Sequence, residues 1–173
     1  MRGLQKQWLN NGELDIDMTV IPEKTWHQRA REEGIAEKLN FIRKYAADKR
    51  KIVIVARYLS QIDYLAKELV KEREVFVLTG STKDQEQIIS DARESFECYF
   101  ICQAGLGSGF ELPEFDFMVF VSLSFSVRDL VQMKGRVNRI NRLKSNWYTY
   151  LIGGPLDEKV YQRVCVDLQD FVI

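Results

Sequence analysis

The hydrophobic pattern of the chain becomes regular at Gly34 and from there alternates between two kinds of element. Apolar residues spaced by three and four positions predict helices, and short continuous apolar runs predict strands buried on both faces of a sheet. The first helix is predicted from Ile35, and the run IVIVA between Lys51 and Arg57 predicts the first strand. Further strands are predicted at 75–78, 99–102, 117–123 and 147–152, and further helices after Ser60, from Thr82 to about Phe96, after Ser126 and from Pro155 to Val172.

This order of elements predicts an α/β fold with a parallel sheet covered by helices on both faces, because strands and helices alternate five times. Right-handed crossovers place the loop after each strand at one edge of the sheet, where such folds bind ligands. We assign residues 34–173 to this domain and residues 1–33, which are polar and irregular, to an N-terminal extension or linker. Trp8 and Trp26 are predicted to anchor the extension to the domain or to a neighbour, with base stacking as the alternative.

Three of the predicted helices carry residues typical of helix starts. Ser60 and Ser126 are predicted N-caps, because a serine hydroxyl accepts a hydrogen bond from a free N–H of the first turn. Thr82 with Gln85 three residues later has the form of a capping box.

Charge is balanced over the whole chain but not along it. Lys plus Arg and Asp plus Glu are both 25, so the total gives no attraction to nucleic acid. Between residues 128 and 144, however, six cations stand against the single Asp129, which predicts a basic patch or a solvated helix face. These cations are Arg128, Lys134, Arg136, Arg139, Arg142 and Lys144.

The remaining composition indicates a soluble cytoplasmic protein without a metal site. Cys98, Cys102 and Cys165 show no metal-ligand spacing and are predicted to be buried, reduced thiols. The longest apolar runs are far shorter than the ~20 residues that span a bilayer, and the start MRGLQKQWLNNG lacks a signal-peptide core.

The stretch QMKGRVNRINR within the basic patch separates two kinds of residue when it is wound as a helix. Leu130, Met133, Val137 and Ile140 share an apolar face that can pack on a sheet. The opposite face holds Gln132, Gly135, Arg136 and Arg139. Arginine suits a phosphate, since its planar guanidinium donates hydrogen bonds in pairs and keeps its charge.

Small and hydroxyl-bearing residues follow the predicted strands at the expected ligand-binding edge. They are Thr79, Gly80, Ser81 and Thr82 after the second strand, Gly105, Gly107, Ser108 and Gly109 after the third, and Ser122 to Ser126 after the fourth. After the first strand the cation Arg57 lies at the same edge. Free backbone N–H groups and hydroxyls in such loops suit phosphates, and several such loops together, beside an arginine face, exceed what helix capping requires.

Two nucleotide-binding fingerprints are excluded. The GLGSGF loop has Phe110 in place of the third glycine of a dinucleotide fingerprint, and Pro113 prevents the helix that should follow. No phosphate-clamping GxxxxGK[ST] motif is present, and Asp157 and Glu158 are interpreted as acids favoured at a helix start rather than as magnesium ligands.

The chain from about Ile35 onward resembles the second RecA-like domain of superfamily 2 helicases and translocases. KIVIVARYLSQIDYLAKEL resembles motif IV with its following helix, VFVLTGST the next strand and backbone-contacting loop, YFICQAGLGSGFELPEFDFMVF motif V, and QMKGRVNRINR motif VI of form QxxGRxxR. AGLGSGFEL and WYTYLIGGPLDEKVY look most like the Swi/Snf-type group of double-stranded DNA translocases.

The resemblance implies a role for each matching residue. Arg136 and Arg139 would reach the γ-phosphate of ATP, with its Mg²⁺, bound mainly by an N-terminal RecA-like domain, and Gln132 would orient that site. Gly107, Gly109 and Glu111 would lie on the nucleotide side, with Glu111 meeting the ribose. The residues that would hold the nucleic-acid backbone are Arg57, Thr79, Gly80, Ser81, Thr82, Gly105 and Ser108.

Two departures from the Swi/Snf-type pattern concern fine detail of this site. The usual RIGQ ending reads Arg139-Ile-Asn-Arg142, and the usual asparagine of GLNL is Glu111.

The first RecA-like domain is not part of this sequence, so the chain alone is predicted to have no ATPase activity and to be a monomer. DNA is the expected track, with RNA as the alternative. Two other functions stay open at this point: a non-catalytic module that binds nucleic acid or a partner, and a small α/β enzyme with a nucleotide cofactor.

Overall fold

The computed structural model describes residues 34–106, 109–138 and 145–171, and these form a five-stranded parallel sheet with helices on both faces. The strand order is β2-β3-β1-β4-β5. The strands are β1 (Lys51–Ala56), β2 (Glu74–Leu78), β3 (Cys98–Gln103), β4 (Phe117–Phe120) and β5 (Trp147–Tyr150). The helices are α1 (Ile35–Ala46), α2 (Leu59–Leu69), α3 (Gln85–Glu94), α4 (Val127–Gly135) and α5 (Pro155–Phe171). The predicted fold class is confirmed.

The central strand β1 is buried on both faces, as its unbroken apolar run predicts. Residues 52–56 are at most 1% exposed. Ile54 lies opposite Ile101 of β3 on one side and Val119 of β4 on the other. A strand with helices above and below it needs apolar side chains at every position, and this explains why its sequence does not alternate.

Two hydrophobic cores form, one on each face of the sheet. On one face α1 and α2 cover the sheet through the buried residues Leu39, Ile42, Ile62, Leu65 and Leu69. On the other face α3, α4 and α5 do so through Ala92, Leu130, Met133, Val137, Val160 and Val164. These are the apolar positions that the helical spacing predicts.

Several element boundaries differ from the predicted ones. β4 ends at Phe120 and β5 at Tyr150, short of the predicted Leu123 and Ile152. α4 ends at Gly135, so Arg136 and Val137 lie in the turn after it. The predicted cap Ser126 is confirmed, since its hydroxyl accepts a hydrogen bond from Asp129 N.

The other two predicted caps are wrong. α2 starts two residues earlier than expected, with extended Tyr58 as its N-cap, so Ser60 lies inside the first turn. α3 has Asp84 as its N-cap, and the Thr82 hydroxyl instead accepts from Thr79 N at 2.9 Å. Gln85 Nε2 donates to Thr82 O at 3.2 Å, which closes the loop rather than a capping box.

Cys98 and Cys102 are buried and free, as predicted, whereas the side chain of Cys165 lies outside the described part. Of the helices described, none is both long and apolar enough to cross a membrane.

Candidate functional site

The loops after β1 and β4 are tied together at the carboxyl edge of the sheet. Arg57 N donates to Ser122 Oγ at 2.8 Å, and Ser122 Oγ donates to Gln61 Oε1 at 2.6 Å. Ser122 and Gln61 are 6% and 1% exposed, so this chain of hydrogen bonds is internal. Gln61 lies among apolar residues of α2, and the sequence pattern did not predict its hydrogen bond with Ser122.

The Arg57 side chain lies at the same edge between two aromatic rings. Its guanidinium carbon is 5.4 Å from the ring centroids of both Tyr58 and Phe125. Phe125 is 47% exposed in the loop before α4. The two rings therefore orient the Arg57 guanidinium at a position where the sequence predicts phosphate binding. Phe125 lies between two serines, an unusual place for an aromatic residue, but residue spacing alone did not identify it as a contact of Arg57.

The loop after β2 is organised by its own hydroxyl groups. Thr79 Oγ1 lies 3.1 Å from Ser81 Oγ, and the Thr82 hydroxyl accepts from Thr79 N. Gly80 N donates to Gln103 Oε1 at 3.2 Å, which links this loop to the end of β3. Gly80 and Ser81 are exposed, whereas Thr79 is 9% exposed. The surface of this loop is thus formed by Gly80 and Ser81, with Thr79 and Thr82 shaping it.

Gly105 brings the loop after β3 against the first turn of α4. Its φ of 82° is in the left-handed region that favours glycine, and a Cβ there would lie 3.2 Å from Asp129 Oδ2. Asp129 also accepts from Ser124 Oγ at 3.0 Å, and its backbone N–H is capped by Ser126. The glycine is needed for this close approach. The predicted site residues Gly107 and Ser108 lie outside the described residues.

α4 divides its residues between core and surface as the pattern of the arginine stretch predicts. Leu130 and Met133 are buried, and so is Val137 just after the helix. Gln132 and Gly135 are exposed on the other side. Ile140 and Arg139 lie outside the described residues, so the structure describes one of the two predicted catalytic arginines.

Arg136 follows α4 and is held by the segment after the glycine-rich loop. Its guanidinium carbon lies 4.8 Å from the Phe110 ring centroid, and Nη1 donates to Phe110 O at 3.4 Å. Arg136 O accepts from Leu112 N at 2.8 Å. The side chain is half-buried, and no carboxylate of the described residues forms an ion pair with it.

The hydrogen-bonding capacity of Arg136 is largely unused within the described residues. Its Nε is buried and has no acceptor there, and its one hydrogen bond is long. A guanidinium carries five N–H donors, and a buried donor without a partner is costly. Most N–H donors of Arg136 therefore have no acceptor among the residues that the structure describes.

The carboxyl-edge loops and Arg136 lie at opposite ends of α4. The helix starts at the carboxyl edge after β4 and runs back along the sheet over nine residues, or roughly 13 Å at 1.5 Å per residue. Around its far end, Tyr148 Oη donates to Lys134 O and Asn146 Nδ2 to Val137 O, both from the start of β5. The structure thus separates the predicted site residues into two regions, where the sequence placed the arginine face beside the loops.

Described residues before and after positions 107 and 108 lie near opposite ends of α4. A Cβ at Gly105 would lie 3.2 Å from Asp129 Oδ2 at the start of the helix, and Phe110 and Leu112 form hydrogen bonds with Arg136 just after its end.

Gly109 and Glu111 line a groove of about 410 Å³ between residues 109–114 and α3. Arg93 lines the same groove and forms an ion pair with Glu114 at 2.8 Å. Hydrogen bonding to Glu114 raises the pKa of Arg93, and the charge of Glu111 adds to this effect. The Glu111 carboxylate is exposed, and its charge acts on Arg93.

Cys102 lies beneath Arg136 in the core. Burial raises the pKa of its thiol to about 12, and the positive charge of Arg136 opposes this shift. Its Sγ lies 3.9 Å from Met133 Sδ. A thiol in this state is protonated and unreactive, so it contributes packing rather than chemistry.

Comparison with known proteins points to one family. The model of the helicase conserved C-terminal domain matches residues 37–141. Among curated proteins, no sequence shows significant similarity to the chain.

Among solved structures, the C-terminal part of the Fun30 ATPase domain matches with a TM-score of 0.67 and 24% identity over 76% of this chain and 45% of that one. Domain 2 of the DEAD-box helicase Mss116p, bound to an RNA duplex, matches with a TM-score of 0.57 and 12% identity over 68% of this chain and 49% of that one. The Hef helicase domain of Pyrococcus furiosus matches with a TM-score of 0.56 and 22% identity over 74% of this chain and 27% of that one.

These likenesses show a shared RecA-like fold, and this chain spans less than half the length of each of the three solved chains. The family match covers more than half of the sequence, including β1, the glycine-rich loop, α4 and Arg136. The chain belongs to the helicase conserved C-terminal domain family.

Proposed function

We propose that this chain is the C-terminal RecA-like half of an ATP-dependent superfamily 2 helicase or translocase. In this proposal residues 34–173 are the motor domain, and residues 1–33 are the extension that leads into it. An N-terminal RecA-like domain binds ATP, and this chain supplies Arg136 and Arg139 to it. The track is double-stranded DNA, and the Swi/Snf-type group is the one whose glycine-rich and C-terminal motifs the sequence resembles.

The observation that carries the proposal is the state of Arg136. Its guanidinium is fixed against Phe110 but is not neutralised by any described carboxylate. A half-buried arginine with a purely structural role would have its donors satisfied by carbonyl groups or acids. An arginine that awaits a phosphate from another domain needs them free.

The chemistry of Arg136 fits a terminal phosphate. Negative charge spreads over the phosphoryl oxygens in the transition state, and a positioned guanidinium stabilises it, by roughly 10³-fold or more in rate for arginine fingers. Because Arg136 is fixed on this domain, it acts only when the two domains close. Hydrolysis would then report domain closure.

The residues described here fit the phosphates of ATP rather than its metal ion. Across the described ranges, no group of three or more His, Cys, Asp or Glu side chains could hold a metal. We assign the Mg²⁺ ligands to the N-terminal domain, where the ion would neutralise phosphate charge when bound. Gln132, exposed on α4, is placed to orient this site, and Gly109 and Glu111 to border the nucleotide.

The carboxyl-edge loops are assigned to the nucleic-acid backbone. Arg57 supplies a charge there, Ser81 supplies an exposed hydroxyl, and the exposed glycines Gly80 and Gly105 allow a phosphate backbone to approach closely.

The proposal is tested by measuring DNA-stimulated ATP hydrolysis of this chain alone and joined to an N-terminal RecA-like domain. The chain alone is expected to be inactive, and the joined enzyme active. Arg136→Ala should lower kcat of the joined enzyme about 10³-fold. Arg163→Ala, which removes an exposed arginine on α5, is the control and should leave kcat unchanged. Full activity of Arg136→Ala, or robust turnover by the chain alone, would overturn the proposal.

A further inference from the structure

We propose that Phe110 is a positioning residue that fixes the Arg136 guanidinium for its partner phosphate. This inference rests on the proposed function of Arg136. It adds a role for Phe110, which the sequence marked only as the residue that breaks a glycine fingerprint.

Phe110 is the principal support of the Arg136 side chain among the described residues. The guanidinium carbon lies 4.8 Å from the ring centroid, a distance at which a cation is attracted to an aromatic face. Phe110 O also accepts the only hydrogen bond that the guanidinium donates within the described part of the chain. One residue therefore supplies both the surface beneath the guanidinium and its acceptor.

The Phe110 ring is itself fixed in the core. It is 4% exposed, and its centroid lies 5.9 Å from that of Phe100, which is fully buried in β3. Packing on Phe100 of β3 thus fixes the Phe110 ring, and the ring in turn fixes the Arg136 guanidinium. An arginine has several rotatable bonds, so a rigid platform restricts it far more than its own backbone does.

The backbone around Phe110 completes the arrangement. Leu112 N donates to Arg136 O at 2.8 Å, which fixes the main chain of the arginine. A Cβ at Gly109 would lie 4.0 Å from Arg136 Nη1, so the backbone before Phe110 also passes close to the guanidinium. Phe110 and Leu112 thus hold the side chain and the main chain of Arg136.

The aromatic ring is the part that an aliphatic residue cannot replace. Leucine would keep the site apolar, but it would offer neither a flat face nor a negative π surface to the cation. The guanidinium would then sample more orientations. Misplacement of a reacting group by about 1 Å can cost on the order of 10²-fold in rate.

A matched pair of substitutions separates positioning from packing. Phe115 is fully buried and also packs on Phe100, at 6.1 Å between centroids, and the cation near its ring is Lys51, with Nζ 5.4 Å from the centroid. Phe110→Leu and Phe115→Leu therefore remove similar rings from the same cluster. Phe110→Tyr keeps the ring and serves as the conservative rescue.

The first measurement needs only the 173-residue chain. Each variant is treated with phenylglyoxal, and the modification rate of Arg136 is followed by mass spectrometry under native conditions. We expect the rate to rise severalfold in Phe110→Leu and to stay near the parent value in Phe110→Tyr and Phe115→Leu. Equal rates in Phe110→Leu and Phe115→Leu would overturn the inference.

The second measurement uses the enzyme joined to its N-terminal domain. Phe110→Leu should lower kcat about 10- to 100-fold with little change in the KM for ATP, while Phe110→Tyr restores most of kcat and Phe115→Leu leaves it near the parent value. If Arg136→Ala abolishes turnover but Phe110→Leu behaves like Phe115→Leu, the positioning role is wrong and the proposed function stands. If Arg136→Ala is fully active, the proposed function itself fails.

Discussion

Lys38 and Arg136 are two cations on one domain with opposite surroundings. Lys38 is 4% exposed and donates to Val121 O at 2.6 Å and to the Asp157 carboxylate. Asp157 also accepts from Gly153 N at 2.9 Å. Arg136 has no acid partner among the described residues and leaves its buried Nε without an acceptor.

The difference distinguishes a cation that stabilises the fold from a cation that can bind a ligand. The Lys38 region joins α1 to the last helix through an ion pair between residues 119 positions apart, and its polar groups are satisfied internally. Such a site stabilises the fold and cannot bind a ligand without breaking it. The Arg136 region is ordered by stacking and backbone contacts, which leave its charge unneutralised. Substitutions around Lys38 and around Arg136 are therefore expected to change stability by different amounts.

The largest expected effect on stability is at Asp157. Asp157→Ala would leave the buried Lys38 ammonium without its counter-charge, and removing one partner of a buried ion pair costs about 3–5 kcal/mol. Urea denaturation of the 173-residue chain measures the loss. Glu158→Ala, at the exposed neighbouring position of the same helical turn, should change the free energy of unfolding by less than about 0.5 kcal/mol. Similar losses in the two variants would show that the Lys38 pair is not structural.

The next effect concerns the glycine that brings α1 against the last loop. Gly34 has φ of 67°, and a Cβ there would lie 2.7 Å from Gly153 Cα. Gly34→Ala should therefore lower the free energy of unfolding by about 1–3 kcal/mol. Gly135→Ala is the matched variant in the Arg136 region, where a Cβ would meet no atom within 4 Å. It should stabilise the chain by about 0.5–1 kcal/mol, and the opposite order of the two variants in urea would contradict the packing described.

A smaller effect is expected from Cys102, which lies beneath Arg136. Its folded-state thiol pKa of about 12 is above the ordinary value of 9.0, so the folded protein holds this proton more tightly than the unfolded chain. The resulting stability is complete below about pH 9 and is lost as pH rises toward 12. By pH 10 the loss should reach about 1 kcal/mol. Cys102→Ala should show a shallower decline between pH 8 and 10 in urea titrations; an unchanged slope would contradict the assignment.

The smallest expected effect on stability is at Arg136 itself. Arg136→Met keeps an apolar stem on the Phe110 ring and removes a buried Nε–H that has no acceptor among the described residues. The free energy of unfolding should stay within about 0.5 kcal/mol of the parent value. A loss as large as that expected for Asp157→Ala would show that Arg136 is a structural cation like Lys38.

The fold followed from the sequence because its signals are local. The run IVIVA predicted a strand buried on both faces, and the spacing of Leu130, Met133 and Val137 predicted the face of α4 that packs on the sheet. Where two local signals competed, the prediction failed. Ser60 could cap a helix, yet the N-cap of α2 is Tyr58, which lies two residues earlier in an extended conformation.

The arrangement of the site depended on contacts between distant parts of the chain. Lys38 and Asp157 are separated by 119 positions, and the sequence marked Asp157 only as an acid at a helix start and Lys38 not at all. Arg136 was identified by a motif, but its place after α4 depended on where the helix ends. Its contact with Phe110, 26 positions earlier, could not be read from local spacing.

The central claim is tested most directly by comparing Arg136→Ala with Arg57→Ala in the enzyme joined to its N-terminal domain. For each variant, single-turnover ATP hydrolysis and the salt dependence of DNA affinity are measured side by side. We predict that Arg136→Ala loses about 10³-fold in hydrolysis with unchanged DNA affinity. Arg57→Ala should weaken DNA binding and make the salt slope shallower by about one, because one cationic phosphate contact is lost. Collapsed DNA affinity with persistent hydrolysis in Arg136→Ala would contradict the account.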